Sequence, residues 1–267
     1  QHSRRPNRNP PAADPMRYDV QYGSPVSHRY RGTYLFVVSH MRSFSSLLCH
    51  ILGTHPEISG YGETHRSYLG RTDLNRLART VREQTGEASL GRFLVDKVLH
   101  NHVEFAPTML ARPDVRVVFL LRHAEDTLAS ILNMAHALGH VGPYADLAQV
   151  TDYYVNRLKQ MENQSAQVTG NAYYIDSERL VDETDAVLDG LSRWLALGTG
   201  LTPEYRTFPL TGVPGHGDPS PHIRAGRVVK SPAERHRDYK AVAIPEEALR
   251  RAEAAYTACR EALSALR

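Results

Sequence analysis

The sequence is short of cysteine. Two thiols in 267 residues, Cys49 and Cys259, are too few for a disulfide framework. Each falls in an apolar helical pattern and reads as a buried free thiol, which fits a reducing cytoplasm as the expected location. No window reaches the ~18 consecutive apolar residues of a membrane span. No charged segment followed by an apolar one begins the chain, so no signal peptide is expected. An excess of one charge is also missing: 32 Lys and Arg stand against 29 Asp and Glu, a net +3. That is too weakly basic for a nucleic-acid binder, yet compatible with an anionic ligand. No internal repeat is visible. A GxxxxGK[ST] loop is absent, which disfavours magnesium-assisted nucleoside triphosphate chemistry. No G-x-S-x-G follows a strand, which disfavours Ser-His-Asp hydrolysis.

What is present is ordinary globular composition, 41% hydrophobic and 23% charged, enough for one sizeable core. Residues 1–20 are Pro-, Arg- and Asn-rich without periodicity; they read as a flexible arm or a non-native leader, with Met16 a candidate start. Strand and helix signals then alternate. Tyr34–Ser39, Phe93–Val98, Val115–Leu121 and Ala172–Ile175 read as strands, and VRVVFLL is the clearest of them. A continuous apolar run of that kind suits a parallel strand covered on both faces. Helices are expected over 43–52, 73–86, 124–138, 146–167 and 184–197, with a last one starting at Pro245. The Gly-, Pro- and His-rich stretch 198–232 reads as irregular. The pattern predicts a single α/β domain over 21–267, with a central parallel sheet flanked by helices.

The segment Tyr34–Ile51, YLFVVSHMRSFSSLLCHI, runs from strand through a Ser/His/Arg cluster into a helix. Unpaired N–H groups of a first helical turn and the helix dipole make an anion site at a strand's carboxyl end. Arg42 adds a permanent charge there, and Ser43, Ser45 and Ser46 add hydroxyls. The alternative is a Ser-capped helix with a solvated Arg. Further on, strand VVFLL ends in Arg122, and Ser130 follows eight residues later within the next helix. A guanidinium fork at a strand's carboxyl end suits a phosphate.

Met41-Arg42-Ser43-Phe44-Ser45-Ser46-Leu47-Leu48 resembles the P-[KR]-S-G-[ST]-[ST] loop of the PAPS-dependent sulfotransferases, where PAPS is 3′-phosphoadenosine 5′-phosphosulfate. Met41 stands in the Pro position and Phe44 in the Gly position. The Arg122–Ser130 spacing is similar to the family's 3′-phosphate pair. Ala172-Tyr173-Tyr174-Ile175-Asp176 resembles its strand ending in Tyr-Glu-Asp, in which Tyr174 would contact adenine. Gly215–Pro219 with His222–Val228 resembles the closing loop, with Arg224, Gly226 and Arg227 as cofactor ligands. The resemblance spans roughly residues 33–230. It implies a P-loop-like three-layer α/β/α fold and sulfuryl transfer from PAPS to an acceptor hydroxyl, leaving adenosine 3′,5′-bisphosphate.

In such an in-line transfer, positioning and charge stabilisation dominate. Arg42 and Lys97 are the candidate charge stabilisers. The base is either Glu63, in the HPEISGYGET segment similar to that of tyrosylprotein and related sulfotransferases, or a His after the second strand, His100 ahead of His102. His100 and His102 near Glu104 raise zinc, but His-x-His without a third ligand at fixed spacing is a weak signal, and no metal is expected. Leu138–Asp152 reads as a lid, and Tyr61, Tyr68, Tyr144, Tyr153 and Tyr154 as acceptor-pocket candidates. The Ala- and Arg-rich composition suits a GC-rich bacterial source, and with it a small-molecule, secondary-metabolite or glycoconjugate acceptor. Nothing in the sequence decides between monomer and homodimer. The alternatives are a P-loop-type small-molecule or nucleoside kinase, and a nucleotide-binding module without activity.

Overall fold

Five strands form the centre of the computed structural model, which describes residues 30–139, 142–213, 217–230 and 242–266. The arm expected over 1–20, and Gly215 and His216 of the basic loop, lie outside the described residues. The strands are β1 (Thr33–Val38), β2 (Ile58–Ser59), β3 (Phe93–Val98), β4 (Val115–Leu121) and β5 (Ala172–Asp176). Their order is β2-β3-β1-β4-β5, and every pairing is parallel.

The helices are α1 (Ser45–Thr54), α2 (Arg71–Thr85), the short α3 (Pro107–Leu110), α4 (Ala124–Ala137), α5 (Leu147–Ser165), α6 (Ser177–Asp182), α7 (Thr184–Leu195) and α8 (Glu246–Ser264). Side chains alternate across a strand, so β1 feeds two cores. Tyr34, Phe36 and Val38 pack with α2, α4, α5 and α8. Leu35 and Val37 pack with α1, α6 and α7. This is the expected single α/β domain, a parallel sheet between two helical layers. Cys49 and Cys259 are free and buried, one in each core. No helix among the described residues is long and apolar enough to cross a membrane.

The differences from the sequence reading are local, and among them are β2 and α3, neither of which was expected. Pro245 sits at the N-cap of α8 and not inside its first turn. The chain also forms α6 before α7, and the 198–232 stretch contains a five-residue 3-10 turn at Pro221–Ala225.

Because β1 lies between β3 and β4, the chain leaves it to opposite sides, and a crevice opens at the carboxyl ends of the strands. Buried polar groups tie those ends together. Arg157 of α5 is fully buried; it donates from Nε to Ser39 O (2.6 Å) and from Nη2 to Val98 O (2.8 Å). Burial lowers its pKa to about 10, which still leaves it charged. His40 is held below the ordinary imidazole range, at about 3, chiefly by burial. As a neutral ring it donates from Nδ1 to Met41 O (2.9 Å) and accepts the Arg122 N–H at Nε2 (3.0 Å). The end of β1 is thereby locked to the end of β4.

Candidate active site

The loop after β1 takes two left-handed turns: Arg42 and Phe44 both have φ of 62°. For a non-glycine residue that conformation costs roughly 1–2 kcal/mol. Phe44 therefore adopts the backbone conformation that Gly supplies most cheaply, and its ring is covered by the Arg122 guanidinium at 4.6 Å from the centroid. A cation–π contact of that kind is worth about 0.5–1 kcal/mol where it remains exposed, so it offsets part of the strain. Phe44 is the N-cap of α1 and contributes no side-chain cap, which leaves the first N–H groups of the helix facing the crevice. Ser43 is buried: its Oγ donates to His40 O (2.7 Å) and lies 2.5 Å from Ser39 Oγ. It shapes the loop and does not reach the crevice wall.

The crevice holds a cavity of about 770 Å³, within the range of small-molecule sites. Arg42, Phe44, Ser45, Ser46, Lys97 and Arg122 line it, as do Glu63 and His100. Arg42 donates from Nε to Ser130 Oγ (2.9 Å) and from Nη1 to Asp218 Oδ1 (2.7 Å). Arg122 donates from Nη1 to Arg42 O (2.9 Å). Burial alone would raise the Asp218 carboxyl, but the Arg42 charge and hydrogen bond, with donors from Ser220, hold it at about 2. The backbone N–H of Asp218 reaches Ser46 Oγ (3.1 Å).

Neighbouring residues on β3 point to opposite faces. Lys97, its side chain 1% exposed, turns to the α1 side and donates to Ser46 Oγ (3.1 Å). Its ammonium also lies 3.7 Å from Glu63 Oε2. Asp96 turns to the other side, where it accepts from Thr64 N (2.9 Å), Thr64 Oγ1 (2.8 Å) and Tyr68 OH. Burial pushes its carboxyl up to about 6 against those three donors. The clamp on Thr64, together with Lys97 N donating to Gly62 O (3.2 Å), fixes the segment that carries Glu63.

Glu63 is 5% exposed, and its Oε1 faces His100 Nε2 at 3.3 Å and His65 Nδ1 at 3.6 Å. Neither contact has hydrogen-bond geometry, so Oε1 is a buried acceptor without a donor. Leaving such an acceptor unpaired costs about 1–3 kcal/mol. Burial lowers the His100 pKa below the ordinary value, opposed by the Glu63 charge. His65 holds a left-handed backbone, φ 53°. One stretch of the remaining wall is apolar, with Met134, Ala135, Leu138, Pro143 and Tyr144, the last three from the expected lid segment, while Asp126, Glu178 and Asp182 line the cavity elsewhere.

Several of the expected residues lie away from the cavity wall. Tyr174 does not line the cavity; its ring packs into the α4/α5/α8 core and its hydroxyl donates to Asp176 Oδ1 (2.5 Å). Arg224 turns away to donate to Gly212 O (3.1 Å), and Gly226 caps the 3-10 turn with φ 67°, whereas Arg227 reaches the cavity. Of the five tyrosines only Tyr144 lines the pocket. Tyr61 stacks on Phe208 (4.0 Å), Tyr68 serves Asp96, Tyr153 donates to Leu99 O (2.8 Å), and Tyr154 donates to Arg122 O (2.8 Å). His102 stacks on His100 at 5.4 Å and is not on the wall. The sequence reading passed over His65, Asp96, Asp218 and Arg157. Asp96 had a visible signal, a carboxylate inside an otherwise apolar strand; His65 had none.

The chain matches the family model of the sulfotransferase family over residues 35–199, well over half its length. No curated protein sequence is a significant match. Among solved structures, it is similar to the sulfotransferase domain of the Synechococcus PCC 7002 olefin synthase, at 17% identity over 85% of this chain and 95% of that one, with a TM-score of 0.53. A sulfotransferase domain from the curacin biosynthetic pathway matches at 19% identity over 85% and 98%, TM-score 0.48. A sulfotransferase from Alicyclobacillus acidocaldarius matches at 14% identity over 67% and 87%, TM-score 0.43. At such identities the likeness concerns the fold.

Proposed function

The chain belongs to the sulfotransferase family, and from that premise we propose that it transfers a sulfuryl group from PAPS to a hydroxyl of a small-molecule, secondary-metabolite or glycoconjugate acceptor. One observation carries the reading: buried Lys97 spans from Ser46 of the anion loop (3.1 Å) to the Glu63 carboxylate (3.7 Å). A cation thus stands between a site for a leaving oxyanion and a base for an incoming hydroxyl.

The residues suit the donor. PAPS carries two separated anionic groups, and the crevice offers cations in two places. Arg42, Lys97, Ser45, Ser46 and the first N–H groups of α1 would hold the 5′ side. Arg122, with Ser130 behind Arg42, would hold the 3′-phosphate, and Arg227 faces them from the closing loop. When bound, PAPS supplies the sulfuryl group together with a bisphosphate leaving group.

Glu63 Oε1, which accepts no hydrogen bond, is open to the proton of an acceptor hydroxyl. His100 stands 3.3 Å away, its pKa lowered by burial, as the alternative base. Arg42 and Lys97 place fixed positive charge at the leaving oxygen, where stabilisation counts for more than proton donation. The apolar stretch of Met134, Ala135, Leu138, Pro143 and Tyr144 suits an acceptor with a carbon skeleton of low polarity.

Incubation with PAPS and a panel of hydroxyl acceptors, read by mass for sulfated product, tests this. No sulfated product from any acceptor, with ATP turned over when magnesium is present, would favour the kinase alternative. Loss of turnover in His100→Ala with full turnover in Glu63→Gln would move the base to His100.

A further inference from the structure

Glu63, His65 and His100 form the one group of three metal-capable side chains among the described residues whose ligand atoms all lie within 4.8 Å of one another. The carboxylate's spacing to each ring is close to that of a coordination shell. With metal–ligand bonds near 2.0–2.1 Å, the edge of a tetrahedron is about 3.3–3.4 Å. Glu63 Oε1 lies 3.3 Å from His100 Nε2 and 3.6 Å from His65 Nδ1.

A second observation points the same way. Glu63 Oε1 is buried, has no hydrogen-bond donor, and is aimed at both imidazoles. The other oxygen, Oε2, is engaged separately by Lys97, which leaves Oε1 to a ligand. Neither imidazole nitrogen donates to it in hydrogen-bond geometry, so Oε1 stays open to an ion that both rings are near enough to share. All three residues line the cavity, so an ion held by them would have room for a further ligand from it, as in sites of two histidines and one glutamate that keep a free position.

We propose that Glu63, His65 and His100 bind a zinc-type divalent cation, and that this ion competes with acceptor by occupying Glu63 Oε1. Imidazole and carboxylate donors suit Zn²⁺ over Mg²⁺ or Ca²⁺. Sulfuryl transfer itself requires no metal, so the ion acts as a reversible block of the site. The blocking consequence rests on Glu63 serving as the base; the binding site does not.

The test is titration of metal-free protein with Zn²⁺ against a chromophoric chelator, in wild type and in His65→Asn, His100→Asn, Glu63→Gln and His102→Asn. His65 is 43% exposed and outside both cores, so its variant keeps the fold even if Glu63→Gln does not. One Zn²⁺ per chain is expected. Each ligand variant should weaken it by more than about 100-fold, beyond the loss typical of an outer-shell partner. His102→Asn, which removes only a stacked ring, should leave it unchanged. No stoichiometric binding, or binding unaltered by His65→Asn, overturns the site. Zn²⁺ bound at one per chain with sulfation undiminished overturns the block, while absence of sulfation in the metal-free protein would count against the activity and leave the binding result standing.

Discussion

On the Arg42 side of the crevice the ligand-facing groups are mostly cations, hydroxyls and backbone N–H groups, with Asp218 paired to Arg42, held by a loop with two left-handed residues. On the Glu63 side they are ionisable groups stacked in depth, with Asp96 beneath Thr64, Thr64 beside Glu63, and Glu63 against Lys97, His65 and His100. The first arrangement keeps fixed charge whatever the pH. The second depends on one carboxylate aimed correctly and on another, Asp96, kept ionised where burial disfavours it. The two halves meet at Lys97, and they should therefore fail in different ways.

The largest effects should separate binding from turnover. Glu63→Gln is expected to lower turnover about 100-fold or more, the usual scale for losing a positioned base, while adenosine 3′,5′-bisphosphate affinity measured by calorimetry stays within error. Arg122→Ala should do the reverse first, weakening bisphosphate about 10- to 100-fold as a charged hydrogen bond is lost. If both variants lose affinity equally, the two halves are not independent.

Asp96→Asn comes next. It turns one of the two oxygens that accept from Thr64 and Tyr68 into an NH2 donor, and a displaced Glu63 should cost turnover on the order of 100-fold with bisphosphate binding retained. Its stability should also respond to pH differently from wild type. The Asp96 carboxyl rises from 3.8 to about 6 on folding, a cost of about 3 kcal/mol once it is ionised. Between those values the folded state binds more protons than the unfolded one, so this contribution favours folding at low pH and is lost as pH rises through about 6. Thermal melts of wild type relative to Asp96→Asn should therefore gain stability as pH falls from about 6.5 to 4, and a flat difference would contradict the burial cost.

A smaller effect probes the closing loop. Asp218 is an anion already paired with Arg42 at 2.7 Å. Asp218→Asn should tighten bisphosphate about 3- to 10-fold, a fraction of a charged hydrogen bond, and weaker binding would mean that Asp218 organises the site. Smallest of all, Tyr174→Phe should leave bisphosphate affinity unchanged, because the ring sits in the core. A loss there would restore the adenine contact that its sequence position suggested.

The same contrast explains what was legible beforehand. Strand, loop and helix around Arg42, and Arg122 with Ser130 one strand later, are contiguous pieces whose geometry follows from local rules. Lys97 was named as a charge stabiliser, while Asp96 beside it, also a charge in an apolar strand, was passed over. His65 meets Glu63 and His100 only because the loop after β2 turns back over β3, which no local pattern encodes. Tyr153 and Tyr154 looked like pocket residues because aromatic type does not reveal which face of an element is covered. Phe44 keeps the backbone of a Gly position, and its ring finds Arg122 from a strand too distant in sequence to be linked with it.

The most direct test of the account is titration of wild-type protein with adenosine 3′,5′-bisphosphate and, separately, with ATP plus magnesium. The account predicts saturable bisphosphate binding at about micromolar Kd, roughly −8 kcal/mol, abolished together with sulfation in Arg42→Ala, and no tighter binding of ATP with magnesium. Preference for ATP with magnesium would contradict it.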